Sequence, residues 1–162
     1  MAPGFQLTQQ IRFGDIDAYN HVNNVAYLQY LEDARVQLFY AELPGGSTLR
    51  GLLGPELFTL VGRHEIEYLA PISFRTDPIY VNTWVTHVGG SSFELGYTVT
   101  EADTSIIYAQ AATSMVVVSR DTGRPVRLTE AQKSALNPWR GDPVPFRRAP
   151  ARPVLSPAQG AH

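Results

Sequence analysis

The stretch Ile11–Arg35, IRFGDIDAYNHVNNVAYLQYLEDAR, decides how this chain is read. It gathers two acids, a histidine and three asparagines just ahead of a run with helical periodicity. From about Asn23, the apolar residues Tyr27, Leu31, Ala34 and Leu38 recur at i, i+4, i+7 and i+11. Gln29, Glu32, Asp33 and Gln37 fall on the far side. This spacing predicts an amphipathic helix with a broad apolar face. Pro44-Gly45-Gly46 stops it near Leu43, since proline lacks the N–H and glycine weakens helical backbone.

Outward from this helix the period changes to two. Upstream, Gln6–Phe13 reads as a first strand. Downstream, Ser47–Leu57 reads as a loop or short helix. RHEIEYL, IYVNTWVTHV, SFELGYTVTE and the run Ile106–Ser119 then alternate as strands. Gly89-Gly90, Asp103-Thr104-Ser105 and Asp121-Thr122-Gly123 supply turn chemistry between them. Thr129–Leu136 reads as a short helix capped by Thr129. The order is one strand, one long helix, then four strands joined largely as hairpins. That predicts an α+β domain with an antiparallel sheet of about five strands on one long helix. The domain is expected over residues 1–140. Residues 141–162 hold five of the twelve prolines plus Arg147, Arg148 and Arg152, and read as a Pro-rich C-terminal tail. The second sheet face keeps Trp84, Tyr80 and Tyr108, so a second subunit is expected to cover it.

Composition narrows the function. The 162 residues are 44% hydrophobic and 17% charged, with a net charge of -2. No basic excess points to nucleic acid. With no cysteine, disulfides, thiolate nucleophiles and cysteine metal sites are excluded. A cytoplasmic location is expected from that and from an N-terminus, MAPGFQLTQQ, without a basic-then-apolar leader. No apolar run approaches the roughly 20 residues of a membrane span. The serine elbow G-x-S-x-G, the P-loop and the dinucleotide fingerprint are all missing. The histidines are scattered, and nothing argues for a metal or a bound cofactor.

The polar cluster ahead of the helix has two readings. Asp and Asn in that position are ordinary caps and turn formers. They are also the minimum equipment for attack on an activated carbonyl. The first N–H groups of a helix lack partners and favour negative charge. An oxyanion forming there, with Asp17 beside it as nucleophile or general base, would suit thioester chemistry. Pattern alone leaves both readings open.

The segment RFGDIDAYNHVNNVAYLQYLEDAR resembles the signature of the 4-hydroxybenzoyl-CoA thioesterase family of hotdog-fold acyl-CoA thioesterases. Arg12, Asp15, Asp17, His21, Val22, Asn23, Asn24, Tyr27, Tyr30, Glu32 and Arg35 carry the likeness. It continues through EIEYLAPISF, VGGSSFELGYTV and DTGRPVRLTE, and covers roughly Gln6–Leu136. The resemblance implies hydrolysis of an acyl-CoA to a free acid and CoA by a homodimer or homotetramer, without a cofactor. Its catalytic carboxylate falls on Asp17, with Asp15 in support. His21, Asn23 and Asn24 would shape the turn and polarise the carbonyl. Two departures stand out. Asn20 replaces a glycine common before His-Val-Asn-Asn, and Gly90 replaces an arginine common at the hairpin. Ser91, Ser92 and Arg124 are the substitutes for gripping CoA. The rival expectations are an acyl-carrier-protein thioesterase, a non-catalytic acyl-CoA binder and a hotdog dehydratase. The last is disfavoured because no facing histidine–acid pair is evident.

Overall fold

In a computed structural model, which describes residues 4–147, five strands form one antiparallel sheet. They are β1 (Phe5–Gln9), β2 (Leu57–Tyr68), β3 (Ile79–Val88), β4 (Ser92–Thr100) and β5 (Ile107–Ser119). Their spatial order is β1-β3-β4-β5-β2. Three helices accompany them: α1 (Asn24–Tyr40), α2 (Leu49–Leu53) and α3 (Glu130–Leu136). The expected tail lies outside the described residues from position 148 onward.

The periodicity of α1 translates directly into burial. Tyr27, Leu31, Ala34 and Leu38 are all buried, together with Tyr30 and Arg35. They pack on the inner sheet face, where Val81 and Val85 of β3 meet Leu95, Tyr97 and Val99 of β4 and Ala109, Ala111 and Val117 of β5. Arg35 stays near its neighbour Glu32, with Nη2 to Oε2 at 3.6 Å. The helix stops at Tyr40, three residues before the expected Leu43, because Ala41 already has extended backbone.

The expected single long helix is matched in part. At 17 residues α1 covers about 26 Å, whereas the 13 residues of β5 reach about 43 Å. One helix cannot cover strands that long. The short helices α2 and α3 close the remaining end, where Leu49, Leu52, Leu53, Leu128 and Leu136 pack around Phe39 and Phe93. Thr129 caps α3 in a reciprocal box with Gln132.

Not all joints are hairpins. β3 to β4 and β4 to β5 are, but β2 pairs with β5 at one edge while β3 lies three strands away. At about 4.8 Å per strand the link must cross roughly 14 Å, so it takes the ten residues Leu69–Pro78. This crossover is pinned by its own hydrogen bonds. Leu69 and Ala70 donate to Tyr108 O, and Arg75 pairs with Glu101 while lying over the Tyr108 ring.

The outer sheet face also differs from expectation. Residues 140–147 lie across it, so the chain itself covers the surroundings of Trp84. Tyr108 is buried beneath Arg75.

Candidate active site

The turn Arg12–Asn23 builds the site, and most of its backbone N–H groups have a partner within the turn or on the crossover. A 3-10 turn, Phe13–Asp15, leads to Ile16, which bridges to Val22. Inside that loop Asp17 N–H donates to His21 O at 2.9 Å and Asn20 N–H to Asp17 O at 3.1 Å. Asn20 sits at φ 63, in the left-handed region that asparagine tolerates better than most residues. The replacement of glycine there keeps the turn. The crossover loop then docks on it, with Val22 N–H donating to Ile72 O at 2.8 Å and His21 bridging to Ser73.

The two acids face different surroundings. Asp15 is 7% exposed and accepts from Tyr30 Oη at 2.7 Å, Arg12 Nη2 at 3.1 Å and Arg12 N–H at 3.2 Å. Its carbonyl takes the Asn23 N–H at 2.7 Å. Burial alone pushes its carboxyl up, but the bonds from Tyr30 and Arg12 outweigh this and the net shift is downward. Burial and the facing carboxylate drive the Tyr30 hydroxyl upward. Asp17 is half-buried, and a single oxygen, Oδ1, accepts the N–H groups of Tyr19 at 2.8 Å and His21 at 3.2 Å. Among the described residues no donor reaches its Oδ2.

Helix α1 begins beside Asp17. Asn23 is the N-cap, its side chain accepting from Val25 N–H at 3.1 Å, and its carbonyl takes Ala26 N–H at 2.9 Å. The Asn24 N–H finds no acceptor among the described residues. A groove of about 390 Å³ opens here, lined by Asp17, His21, Val22, Asn24 and Tyr27 from one side. Tyr68, Leu69, Ala70 and Pro71, where β2 runs into the crossover, form the other. Tyr68 donates to Asn24 O at 3.1 Å and meets Tyr27 edge-on at 5.1 Å. Burial, then the neighbouring Tyr68 and Tyr108, push the Tyr27 hydroxyl up to about 12. The groove thus brings Asp17, with one carboxylate oxygen free of protein donors, and Asn24, with its amide free of acceptors, together at the positive end of a helix beside Tyr27 and Tyr68.

Of the residues singled out from sequence, Asp17, His21 and Asn24 share the groove, Asn23 caps the helix and Asp15 braces the turn from behind. Ser91, Ser92 and Arg124 do not join them. Ser92 pairs with Val116, and Val116 with Leu60. Tyr68 is eight residues further along β2, about 26 Å away. Periodicity passed over Tyr68 as one more inward residue of a strand. It also passed over Arg127, whose guanidinium lies over Gly90, 3.6 Å from where a Cβ would stand. An unpaired glycine facing a nearby arginine leaves no local sequence signal.

A five-stranded antiparallel sheet carrying a helix whose N-terminus opens on a carboxylate places the chain in the hotdog class. The profile of the Thioesterase-like superfamily matches residues 11–136, and the chain belongs to that superfamily. It is 28% identical over 127 residues to the uncharacterized protein YsmA of Bacillus subtilis (strain 168), covering 78% of this chain and 80% of that protein. Among solved structures it resembles the YbaW probable thioesterase from Escherichia coli, with a TM-score of 0.72, 21% identity, and 83% and 98% of the two chains covered. It also resembles a thioesterase from Thermus thermophilus complexed with coenzyme A and Zn, with a TM-score of 0.66, 28% identity, and 83% and 92% covered. Among the described residues no helix is long and apolar enough to cross a membrane.

Proposed function

We propose that this chain is an acyl-CoA thioesterase of the 4-hydroxybenzoyl-CoA thioesterase type, acting in the cytoplasm. The observation that carries the reading is the shared groove of Asp17 and the free Asn24 N–H. The thioester carbonyl oxygen lies against the Asn24 amide, and Asp17 Oδ2 faces the carbonyl carbon. Asp17 then either attacks, forming a mixed anhydride that water later opens, or takes a proton from water as the hydroxide attacks. In both routes the C–O bond forms as negative charge moves onto the carbonyl oxygen. That charge collapses to break C–S, and the CoA thiolate leaves and is protonated. The amide stabilises the oxyanion at no reorganisation cost, and a donor of this kind is worth roughly 100-fold in rate. The Thermus thermophilus relative complexed with coenzyme A favours CoA over acyl-carrier protein as the carrier.

The same reading calls for a second copy. β2 pairs with β5 on one side only, and Leu60 and Val61 on it are 49% and 40% exposed. Phe13, Tyr19, Val25 and Phe74 add exposed apolar surface from the segments that build the groove. Antiparallel pairing of β2 with its copy would bring the far end of the other sheet, with its Ser91–Ser92 hairpin and Arg124, to this groove. CoA would then run between two chains.

A panel of short, long and aromatic acyl-CoAs tests the reading, with thiol release measured for wild type and Asp17→Ala together. Turnover by the wild type that disappears in a folded Asp17→Ala supports it. Turnover of acyl-carrier-protein thioesters alone would change the carrier, and saturable binding with no release on any thioester would make the chain a binder. A fully active monomer in ultracentrifugation would remove the shared site.

A further inference from the structure

Tyr68, the last residue of β2, is held at three points. Its backbone pairs with Ala109 on β5, and the next two N–H groups, of Leu69 and Ala70, donate to Tyr108 O at 2.8 and 3.1 Å. Its ring meets the buried Tyr27 ring edge-on, with centroids 5.1 Å apart. Its hydroxyl donates to Asn24 O at 3.1 Å. The side chain therefore crosses from the strand wall of the groove to the helix wall. It is 45% exposed, so this link stands at the groove and not in the core.

The helix end that it reaches is the one with the free amide. Asn24 is the first residue of α1, and its N–H has no acceptor among the described residues. Its carbonyl belongs to the helical ladder, which brings it a donor from four residues on. Tyr68 adds a second donor, which the two lone pairs of a carbonyl allow. The peptide group between Asn24 and Val25 is thus held at both ends, by Tyr68 at the carbonyl and by the Asn23 side chain at the Val25 N–H. Among the described residues Tyr68 is the only side chain outside the turn and α1 that hydrogen-bonds to this first helical turn. Helix ends fray when nothing holds them, and here the hold comes from a separate strand. Burial pushes the Tyr68 hydroxyl upward, so it keeps its proton at neutral pH. A hydroxyl whose one proton is bonded to a backbone carbonyl is placed to position and not to act as an acid.

We propose that Tyr68 is a positioning residue for thioester hydrolysis: its hydroxyl locks the first turn of α1 to the strand wall, so that the Asn24 amide keeps its aim on the thioester carbonyl oxygen. The inference rests on the reading of the Asn24 N–H as the oxyanion donor. A whole donor of this kind is worth roughly 100-fold in rate. An amide that stays in place but is loosened forfeits part of that.

The test compares wild type and Tyr68→Phe on the acyl-CoA that the panel ranks first, well below the melting temperature of either. The substitution keeps the ring on Tyr27 and removes only the hydroxyl. It should lower kcat about tenfold, part of the worth of the donor, and leave KM within twofold. Amide hydrogen exchange at Val25 and Ala26, which close the first turn, should become several-fold faster, the size of one neutral hydrogen bond. A lower melting temperature with kcat unchanged would make the hydroxyl structural only and overturn the proposal. A rise in KM with kcat unchanged would make it a substrate contact and do the same. So would a fall in kcat with exchange unchanged, because the hydroxyl would then act on the substrate directly. If the wild type releases thiol from no thioester, the enzymatic reading has failed, and exchange decides the lock separately. Faster exchange at Val25 and Ala26 in Tyr68→Phe would sustain the lock on the helix start. Equal exchange in both proteins would remove it.

Discussion

The two halves of the turn before α1 treat their carboxylates in opposite ways. Arg12–Ile16 draws Asp15 inward and saturates it with Tyr30 and Arg12. Asp17–Val22 ties down one oxygen of Asp17 with two backbone amides and leaves the other without a protein donor in a residue that lines the groove. Two acids separated by a single residue therefore sit in different environments, one bracing the helix entrance and the other lining the groove beside it. The difference comes from what each is offered. A buried carboxylate must have its donors supplied, or it is costly. One at an open groove can leave an oxygen without a protein donor because solvent can satisfy it.

The sharpest way to break this division is to delete each acid and see which property falls. Asp17→Ala should keep its melting temperature within a few degrees and lose on the order of 10²–10⁴-fold in kcat, the range for a positioned general base. Thiol release and thermal unfolding measured on one preparation check it. A large loss of stability with modest loss of turnover would assign both acids to structure.

Asp15→Ala should do the reverse in kind. It leaves the buried Tyr30 hydroxyl without its acceptor, about 2 kcal/mol, and the melting temperature should drop by roughly 4–8 °C for a chain of this size. The sign with pH follows from the downward shift of the Asp15 carboxyl. A depressed folded-state value means the contribution is complete above the ordinary aspartate range near pH 4 and is lost as pH falls from there through the lower folded-state value, because over that window the unfolded chain takes up the proton while the folded protein does not. Melting curves between pH 7 and pH 3 should therefore converge for wild type and Asp15→Asn at the acid end. Parallel curves would show that Asp15 is not the group being titrated.

The elements that frame the two acids were legible in the sequence because they are local, whereas the different roles of Asp15 and Asp17 were implied only by the family resemblance. The helix face of Tyr27, Leu31, Ala34 and Leu38, the cap at Thr129 and the turn ahead of α1 all rest on contacts within a few residues, and spacing reports such contacts. What stayed hidden depends on partners distant in sequence. Alternation gives the faces of β2 and β3 but not that they lie three strands apart, so Leu69–Pro78 could not be recognised as a wall of the groove. Nor does a proline-rich stretch announce that Val144 will settle on Gly96, or that Arg127 will lie over Gly90. Those pairings are fixed by the closed sheet, after the local elements are already made.

The strap that residues 140–147 form across the outer face sharpens the comparison from the opposite side of the sheet. Gly96→Ala forces a methyl group into Val144, Thr86 and the Trp84 ring at 2.8–2.9 Å. Overpacking of this kind costs about 1–3 kcal/mol, unless the strap lifts away and relieves it. Lifting would expose Trp84 and shift its fluorescence to the red while turnover of an N-acetylcysteamine thioester stays within twofold. A matching loss of that turnover would mean that the outer face and the groove are one cooperative unit, and that the site is not confined to the turn.

The smallest expected effect lies at Asn20, between the two acids' territories. Its φ of 63 is the one place in the turn where a side chain pays for the backbone's direction. Asn20→Gly removes that strain while adding freedom to the unfolded chain, so the two should nearly cancel and leave stability within about 0.5 kcal/mol. Asn20→Val keeps the strain and loses the tolerance asparagine has for left-handed backbone, and should destabilise by about 1–2 kcal/mol. If Asp17 depends on this turn for its aim, the valine variant should also lose kcat, because Asn20 N–H donates to Asp17 O and a displaced Asn20 carries Asp17 with it. Equal kcat in both variants would show that the two amides on Oδ1 suffice to aim the acid, and would narrow the reactive half of the turn to Asp17, Tyr19 and His21.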